Sequence, residues 1–420
     1  MIKVAINGFG RIGRNAFKVS LEEHPDQIEI VAINDLTEPK VLAHLLKYDT
    51  AYGPWDREIS SDEKNIIIDG KSYPILAEKD PALLPWRDMN VDVVIESTGR
   101  FTKPEDLKKH LDAGAKKVVL SAPAKGGVPT FVLGVNGDKY AGETAINNAS
   151  CTTNCISPIA SIIHEKYGIK KAMMTTIHSI TAEQNLVDAP PPGGKSGDLR
   201  RARAAYANMI PTTTGAAIAT TEAIPELKGK FDGTSVRVPT IVGSLVDFTF
   251  LLEKPVTVEE VNQTFIDAAN SERFQGILAA TDEQLVSSDI IGRPESSIVD
   301  LSCTQVVDGD MLKVMAWYDN EWGYSNRLVE QVVAIGNYKG STPTPVTSHS
   351  AEATRDEEAE APVESTETIH VETLAPTAGE QQAMATEHET AEAPAELSTD
   401  FQQSVSDAAN TIEDTKETTI

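Results

Sequence analysis

The sequence predicts an α/β protein in two halves, followed by a tail with no core of its own. The first half reads as a doubly wound, mostly parallel sheet. The second reads as an α+β domain on a mixed or antiparallel sheet with helices on one side. Three observations carry this. Through the first 150 residues short apolar runs alternate with segments of helical spacing, the pattern of parallel strands joined by crossover helices. Beyond residue 180 the β-rich runs SVRVPT, SLVDFTFLL, SSIVDLS and MLKVMAWYDN dominate. Residues 341–420 hold 18 acidic and two basic residues, a net of −16 against −10 for residues 1–340, with Phe401 as their one aromatic. Such a segment buries too little apolar surface to offset its ordering entropy, and disorder is expected for it.

The first element is an apolar strand over residues 2–7, which meets Gly8-Phe9-Gly10-Arg11-Ile12-Gly13 and then a helical run. A second strand over 28–34 ends at Asp35. Alone, GxGxxG is a common glycine turn; between a strand and a helix, with a strand-terminal acid at this distance, it is the fingerprint of a dinucleotide-binding Rossmann unit. Glycines let the pyrophosphate approach the helix N-terminus, and the carboxylate accepts the ribose hydroxyls. Asp35 would repel a 2′-phosphate, so NAD is expected rather than NADP. Further strands are predicted over 91–96, 117–120 and 130–135, with a helix over 104–113. The loops Ser97-Thr98-Gly99 and Ser121-Ala122-Pro123 follow two of these strands, where a cofactor crevice forms; ordinary turn chemistry would account for either loop taken singly.

The stretch Ala149-Ser150-Cys151-Thr152-Thr153-Asn154-Cys155 opens a helix expected to run to about Tyr167, with a kink at Pro158. A lone cysteine is more often a small buried hydrophobe, and CxxxC can be a fragment of a metal site. At a helix start, however, unpaired N–H groups and the dipole favour a thiolate, the form that attacks carbonyl carbon. Residues 172–180 read as a strand bearing His178. Strand histidines are usually packed or hydrogen-bonded, but this one follows a candidate nucleophile in the chain. Cys155 lies about one helical turn beyond Cys151, Cys303 reads as core, and no metal site is expected.

The chain has 420 residues, a net charge of −26 and three cysteines. That length fits two domains and an appendage. So few cysteines give no disulfide framework and suggest a reducing compartment. With no leader at the N-terminus and no apolar run of spanning length, a soluble, cytoplasmic protein is expected. The acidic balance of both parts disfavours nucleic acid as a partner.

NGFGRIGR, NDLT, HLLKYDT, ESTGRFT, SAPAKG, ASCTTNC, LRRARAA, PTTTGAA, PELKGK, VRVPT and WYDNEWGYSNR occur in an order and spacing that resemble glyceraldehyde-3-phosphate dehydrogenase over nearly all of residues 1–337. The resemblance implies a phosphorylating oxidation of glyceraldehyde 3-phosphate with NAD and inorganic phosphate. Cys151 would be the nucleophile and His178 its partner in a thiolate–imidazolium pair. Thr181 and Arg237 would hold the substrate phosphate, with Arg201 reaching between sites, and Ser150, Thr152, Thr214 and Gly215 would hold the attacking phosphate. Read singly, residues 212–215 look like a helix cap and Arg201 like solvated surface. For the cofactor the resemblance points to Gly8, Gly10, Arg11, Ile12 and Gly13 at the pyrophosphate turn, Asp35 at the ribose and Lys79 near the adenine end. It further points to Ser121 in the crevice, Asn320 at the nicotinamide carboxamide and Tyr324 beside the ring.

The expected organisation is an NAD-binding domain over 1–150, a catalytic domain over 151–318, a C-terminal helix over 319–340 returning to the first domain, and the acidic tail over 341–420. A homotetramer is implied as well. The sequence departs from the family at three places. The loop Asp188 to Asp198 is longer than its bacterial-type counterpart; its GGKSG is no P-loop, since the required first glycine is Ala189. Ile180 and Glu183 replace residues common in the family, and Glu183 either steadies Arg237 or faces solvent. The tail carries no cysteine pair, which argues against a thiol switch; it reads as a solubilising appendage or, alternatively, as a docking or autoinhibitory arm with an unknown partner. The competing functions are erythrose-4-phosphate dehydrogenase and a scaffold acting through the tail.

Overall fold

The computed structural model describes residues 1–190 and 198–340. The expected tail, and most of the longer loop after Asp188, lie outside the described residues.

The first half contains β1 (Ile2–Asn7), α1 (Arg11–Glu22), β2 (Ile28–Asn34), α2 (Pro39–Lys47), the two-residue β3 (Tyr48–Asp49) and β4 (Gly53–Pro54), β5 (Ile59–Ser61), β6 (Asn65–Ile68) and β7 (Lys71–Leu76). It continues with β8 (Val93–Glu96), α3 (Pro104–Asp112), β9 (Lys117–Leu120) and β10 (Ala145–Asn147). Eight of these strands form one sheet in the order β10-β9-β8-β1-β2-β7-β6-β5. From β10 to β7 every pairing is parallel, and β7, β6 and β5 add an antiparallel edge. The chain leaves β1 toward β2 on one side and reaches β8 on the other, so the strand order reverses at β1. Ligands of doubly wound sheets bind at that reversal, outside the carboxyl ends of the strands.

One predicted strand is absent. Over residues 130–135 only Thr130 makes an isolated bridge, to Asn147, and β10 takes the sheet edge instead. The Asn136 side chain diverts this segment from a ladder: it accepts from Val132 N at 2.7 Å and donates to Thr130 O at 2.9 Å. Polar side chains that offer the backbone local partners compete with sheet formation.

The second half holds α4 (Cys151–Tyr167), β11 (Ile169–Ser179), β12 (Ile210–Thr213), α5 (Ala216–Ala223), β13 (Phe231–Val238), β14 (Ser244–Leu252), α6 (Val258–Ala269), β15 (Leu278–Thr281), β16 (Ser297–Val307), β17 (Met311–Tyr318) and α7 (Trp322–Gly336). Its seven-stranded sheet runs β12-β13-β11-β14-β17-β16-β15, with β11–β13 and β15–β16 parallel and the other pairs antiparallel. Ile156, Ile159 and Ile163 of α4 and Phe265 of α6 join Met174, Phe248, Phe250 and Val314 in one core. Alternate residues of β14 are buried and half-exposed, so the helices cover one face of the sheet. α4 runs unbroken through Pro158. Cys303, expected in the core, is only half-buried because it lies on the less covered stretch of β16.

Helix α7 packs into the first half. Leu328, Val329, Val332 and Ile335 share a core with Ile2, Val4, Ile6 and Phe17. A Cβ on Gly336 would stand 2.6 Å from the Ile2 side chain, so a larger residue there would have to push Ile2 aside.

Candidate active site

The glycine turn is built by steric demand. Gly8 has φ +94°, and a Cβ there would meet Thr98 N at 2.7 Å; one on Gly13 would stand 2.1 Å from Gly8 O. Only glycine lets α1 start this close to β1 and to the loop after β8. The first main-chain bond of α1 runs from Arg14 N to Gly10 O, and Gly10 offers no side-chain cap. The N–H groups of the first turn are thereby left for an anion, with no acidic residue in that turn to compete. Gly13→Ala is expected to weaken NAD binding tenfold or more, about 1.4 kcal/mol, because α1 must move off the turn. Titration of the folded variant with NAD checks this.

A crevice of about 690 Å³ opens beside the turn, lined by Gly8, Gly10, Asn34, Asp35, Lys79, Thr98 and their neighbours. Asp35 accepts from Phe9 N at 2.8 Å and Thr37 N at 2.9 Å, one bond to each carboxylate oxygen. Each oxygen keeps a lone pair for a ribose hydroxyl. Beneath the crevice lies a buried network absent from the sequence reading. Glu96 accepts from Asn7 Nδ2 at 2.5 Å and Thr98 N at 2.9 Å, and it faces His110 Nε2 at 3.0 Å. Trp86 Nε1 donates to His110 Nδ1 at 3.0 Å, which places the imidazole proton on Nε2, toward Glu96. This network fixes Asn7 and Thr98, two walls of the crevice. Glu96 lies within the ESTGR motif, but its long-range partners are visible only once the strands pair.

Arg11 presents its backbone, and not its guanidinium, at the glycine turn. Its guanidinium turns away from the glycine turn to Asp49, at 2.6 Å, and to both oxygens of Glu321. Burial works against its charge, but Glu321 and Asp49 outweigh it and raise its pKa. Only its backbone N–H, with those of Ile12 and Gly13, is left for a phosphate. Ser121 follows β9, its N–H on Glu96 O at 2.9 Å. It lines neither the crevice nor the cavity described next.

Cys151 is the first residue of α4. Ser150 caps the helix, its Oγ accepting from Thr153 N at 3.1 Å. Ala149 before it is held at φ +53°, an uncommon conformation for alanine. Asn147 Oδ1 takes the Ala149 N–H at 3.0 Å, and Tyr324 OH donates to Ala149 O at 3.1 Å. This turn aims Sγ into a cavity of about 300 Å³ that Ser150, Thr152, His178, Thr181, Arg201, Thr214, Gly215 and Arg237 also line. Both proposed catalytic side chains and all seven proposed phosphate ligands therefore face one space.

Cys151 Sγ stands 3.4 Å from His178 Nε2. His178 Nδ1 lies 2.6 Å from Ser179 O, an acceptor, so Nδ1 carries the proton and Nε2 is free to take one. Burial pushes the Cys151 thiol up, opposed by the Arg237 charge and the bonds from Thr152. His178 is pushed down to about 3, first by burial and then by Arg237. Both shifts work against the ion pair implied by the resemblance, which forms when the thiol proton passes to Nε2. Tyr318, given no role from the sequence, packs edge-on to His178 at 6.0 Å, and its hydroxyl lies 2.9 Å from those of Thr152 and Thr176.

Arg237 lies on β13, where it pairs with His178 on β11. It donates to Thr181 Oγ1 at 3.0 Å, and its buried Nε has no partner among the described residues. Burial lowers its pKa. Arg201, which reads as surface from sequence, is drawn in by Thr212 Oγ1 at 2.9 Å and Glu183 at 2.7 Å. Glu183 also reaches Arg237 at 3.5 Å, so it steadies both arginines. Gly215 is the N-cap of α5 and Thr214 Oγ1 accepts from Ala216 N at 3.2 Å, so the expected cap and the cavity wall are the same residues. An unpaired guanidinium N–H beside hydroxyls and a helix start suits a phosphate. Asn320 and Tyr324 follow β17; Asn320 Oδ1 accepts from Ser244 Oγ at 3.0 Å. Among the described residues no helix is long and apolar enough to cross a membrane, and no group of three or more His, Cys, Asp or Glu is placed to hold a metal ion.

Comparison with known proteins agrees with this geometry. Residues 2–104 match the family model for the glyceraldehyde 3-phosphate dehydrogenase NAD binding domain, and residues 150–320 match that for its C-terminal domain. Glyceraldehyde-3-phosphate dehydrogenase 1 of Bacillus cereus is 54% identical over 332 residues, covering 79% of this chain and 97% of the relative. The Geobacillus stearothermophilus glyceraldehyde-3-phosphate dehydrogenase is 53% identical over 338 residues, 80% of this chain and 98% of the relative. That of Streptomyces coelicolor is 52% identical over 338 residues, 80% and 99%. Two sheets, a glycine turn and a cysteine facing a histidine thus coincide with agreement along nearly the whole length of these relatives, and the chain belongs to the glyceraldehyde-3-phosphate dehydrogenase family.

Proposed function

We propose that this chain oxidises glyceraldehyde 3-phosphate to 1,3-bisphosphoglycerate, with NAD and inorganic phosphate. One observation carries the residue roles: Cys151 Sγ lies 3.4 Å from His178 Nε2, in a cavity that Arg201 and Arg237 also line.

NAD, when bound, supplies the acceptor for the hydride that the aldehyde carbon loses. Gly8, Gly10 and the first-turn N–H groups of α1 hold its pyrophosphate, Asp35 its ribose, and Asn320 its carboxamide. His178 takes the proton of Cys151, and the thiolate bonds to the aldehyde carbon. The imidazolium returns that proton to the new oxyanion, giving a hemithioacetal. As the carbon is oxidised, His178 removes the hydroxyl proton and a thioester on Sγ remains. A phosphate oxygen then attacks the thioester carbonyl, the C–S bond breaks, and the acyl phosphate leaves Cys151 as a thiolate. Arg237 and Thr181 hold the substrate phosphate; Ser150, Thr152, Thr214 and Gly215 hold the attacking one, with Arg201 between them. A homotetramer is the assembly this family membership supports.

The test is the initial rate of NAD reduction with glyceraldehyde 3-phosphate, with and without inorganic phosphate. Fast reduction that requires phosphate is the expected result. Folded protein that reduces neither NAD nor NADP with this aldehyde would overturn the assignment, and erythrose 4-phosphate would then be tried.

A further inference from the structure

Behind His178 runs a chain of contacts that ends at Asn320, the residue assigned to the nicotinamide carboxamide. His178 Nδ1 donates to Ser179 O, and the Ser179 N–H donates to Ser244 Oγ at 3.0 Å. Ser244, the first residue of β14 and only 1% exposed, lies in the sheet between β11 and β17. Its hydroxyl stands 3.0 Å from Asn320 Oδ1, just beyond the end of β17. One buried oxygen therefore ties the strand of the general base to the residue assigned to the nicotinamide carboxamide.

The proton count fixes the direction of this contact. A serine hydroxyl has one proton and two lone pairs. Here one lone pair accepts from Ser179 N, and the only acceptor recorded for the proton among the described residues is Asn320 Oδ1. With the amide turned over, Nδ2 would face the hydroxyl and the serine proton would be buried without an acceptor, a state disfavoured by about tenfold or more. The amide oxygen therefore points inward to Ser244. Nδ2 makes no hydrogen bond recorded among the described residues, and it is not among their buried unsatisfied atoms.

We propose that Ser244 is a positioning residue, which sets the amide of Asn320 so that it offers an N–H donor to the carbonyl oxygen of the nicotinamide carboxamide. This rests on the reading of Asn320 as the carboxamide's partner. It differs from a packing role in a measurable way, because Ser244 then decides which carboxamide analogues the site accepts.

The experiment is direct binding titration of the full chain with NAD, with its thionicotinamide analogue, whose sulfur accepts hydrogen bonds poorly, and with its 3-acetylpyridine analogue, which keeps the carbonyl and lacks the amino group. Unmodified protein is expected to bind the thio analogue about 5- to 10-fold more weakly than NAD and the acetyl analogue nearly as well as NAD, the effect of one good acceptor. Ser244→Ala should weaken NAD by a similar factor and bring the thio-to-NAD ratio to within about twofold of unity. Ser244→Cys keeps the volume with a poor donor, and it serves if the alanine variant does not fold. Asn320→Ala should also lose the discrimination. A native-like ratio in folded Ser244→Ala or Ser244→Cys, with discrimination lost in Asn320→Ala, overturns the role of Ser244 and leaves that of Asn320 standing. A native-like ratio in Asn320→Ala itself overturns the reading on which the proposal rests.

Discussion

Cys151→Ser is expected to lower kcat/KM on the order of 10⁴-fold or more while leaving NAD affinity within about twofold. An alcohol is a far weaker acid than a thiol, so the imidazole 3.4 Å away generates far less of the attacking anion from serine. The helix N-terminus and Arg237, which help a thiolate, give an undissociated hydroxyl little. NAD binding is spared because Cys151 lines the 300 Å³ cavity and not the crevice at Asp35. NAD reduction and an NAD titration on the same preparation check both halves. Turnover within tenfold of the unmodified protein would remove Cys151 from the mechanism.

His178→Asn carries the second large effect, a loss in kcat of about 10²- to 10⁴-fold, the usual contribution of a positioned general base. Alkylation of Cys151 by iodoacetamide should slow as well, since the thiol loses its proton acceptor. The same variant tests the electrostatics of the site through stability. The folded chain holds His178 at a pKa of about 3 because burial and the charge of Arg237 oppose protonation. The unfolded chain takes up that proton near pH 6.5. Between these values the unfolded state binds more protons, so stability rises with pH through the window. The favourable contribution is full above pH 6.5 and is lost as pH falls toward 3. His178→Asn should remove a slope of up to about 1.4 kcal/mol per pH unit from denaturation midpoints measured across that range. An unchanged slope would mean that His178 titrates normally in the folded chain.

What the sequence made legible was what local sterics and local hydrogen bonds decide. Gly8 and Gly13 are forced by close approach within one strand–turn–helix unit, and Ser150 marks the start of α4 through its own cap. The strand over 130–135 was misread because the Asn136 side chain takes its backbone bonds, which periodicity does not register. The antiparallel edge of β5, β6 and β7 escaped notice for a related reason: nothing local says which strand joins a given sheet. The resemblance brings Arg11 to the pyrophosphate without saying which of its groups binds there; its guanidinium goes to Glu321, 310 positions along the chain, which no local pattern foretells. Arg201 looked like surface until Glu183 and Thr212 were seen to draw it in. Ser244 gave no signal at all, since its two partners, Ser179 and Asn320, meet it only when β11, β14 and β17 lie side by side.

Helix α7 bears on how the chain is made. The sheet that begins at Ile2 leaves the ribosome first, yet its core lacks Leu328, Val329, Val332 and Ile335 until the last described helix has emerged. At roughly 5–20 residues per second, that delay is on the order of 10–40 s after residue 150 is joined. For that interval the nascent first half exposes the apolar face of β1 and α1 that α7 will cover. The amino-terminal half is thus completed last, by the final described helix, although it is made first.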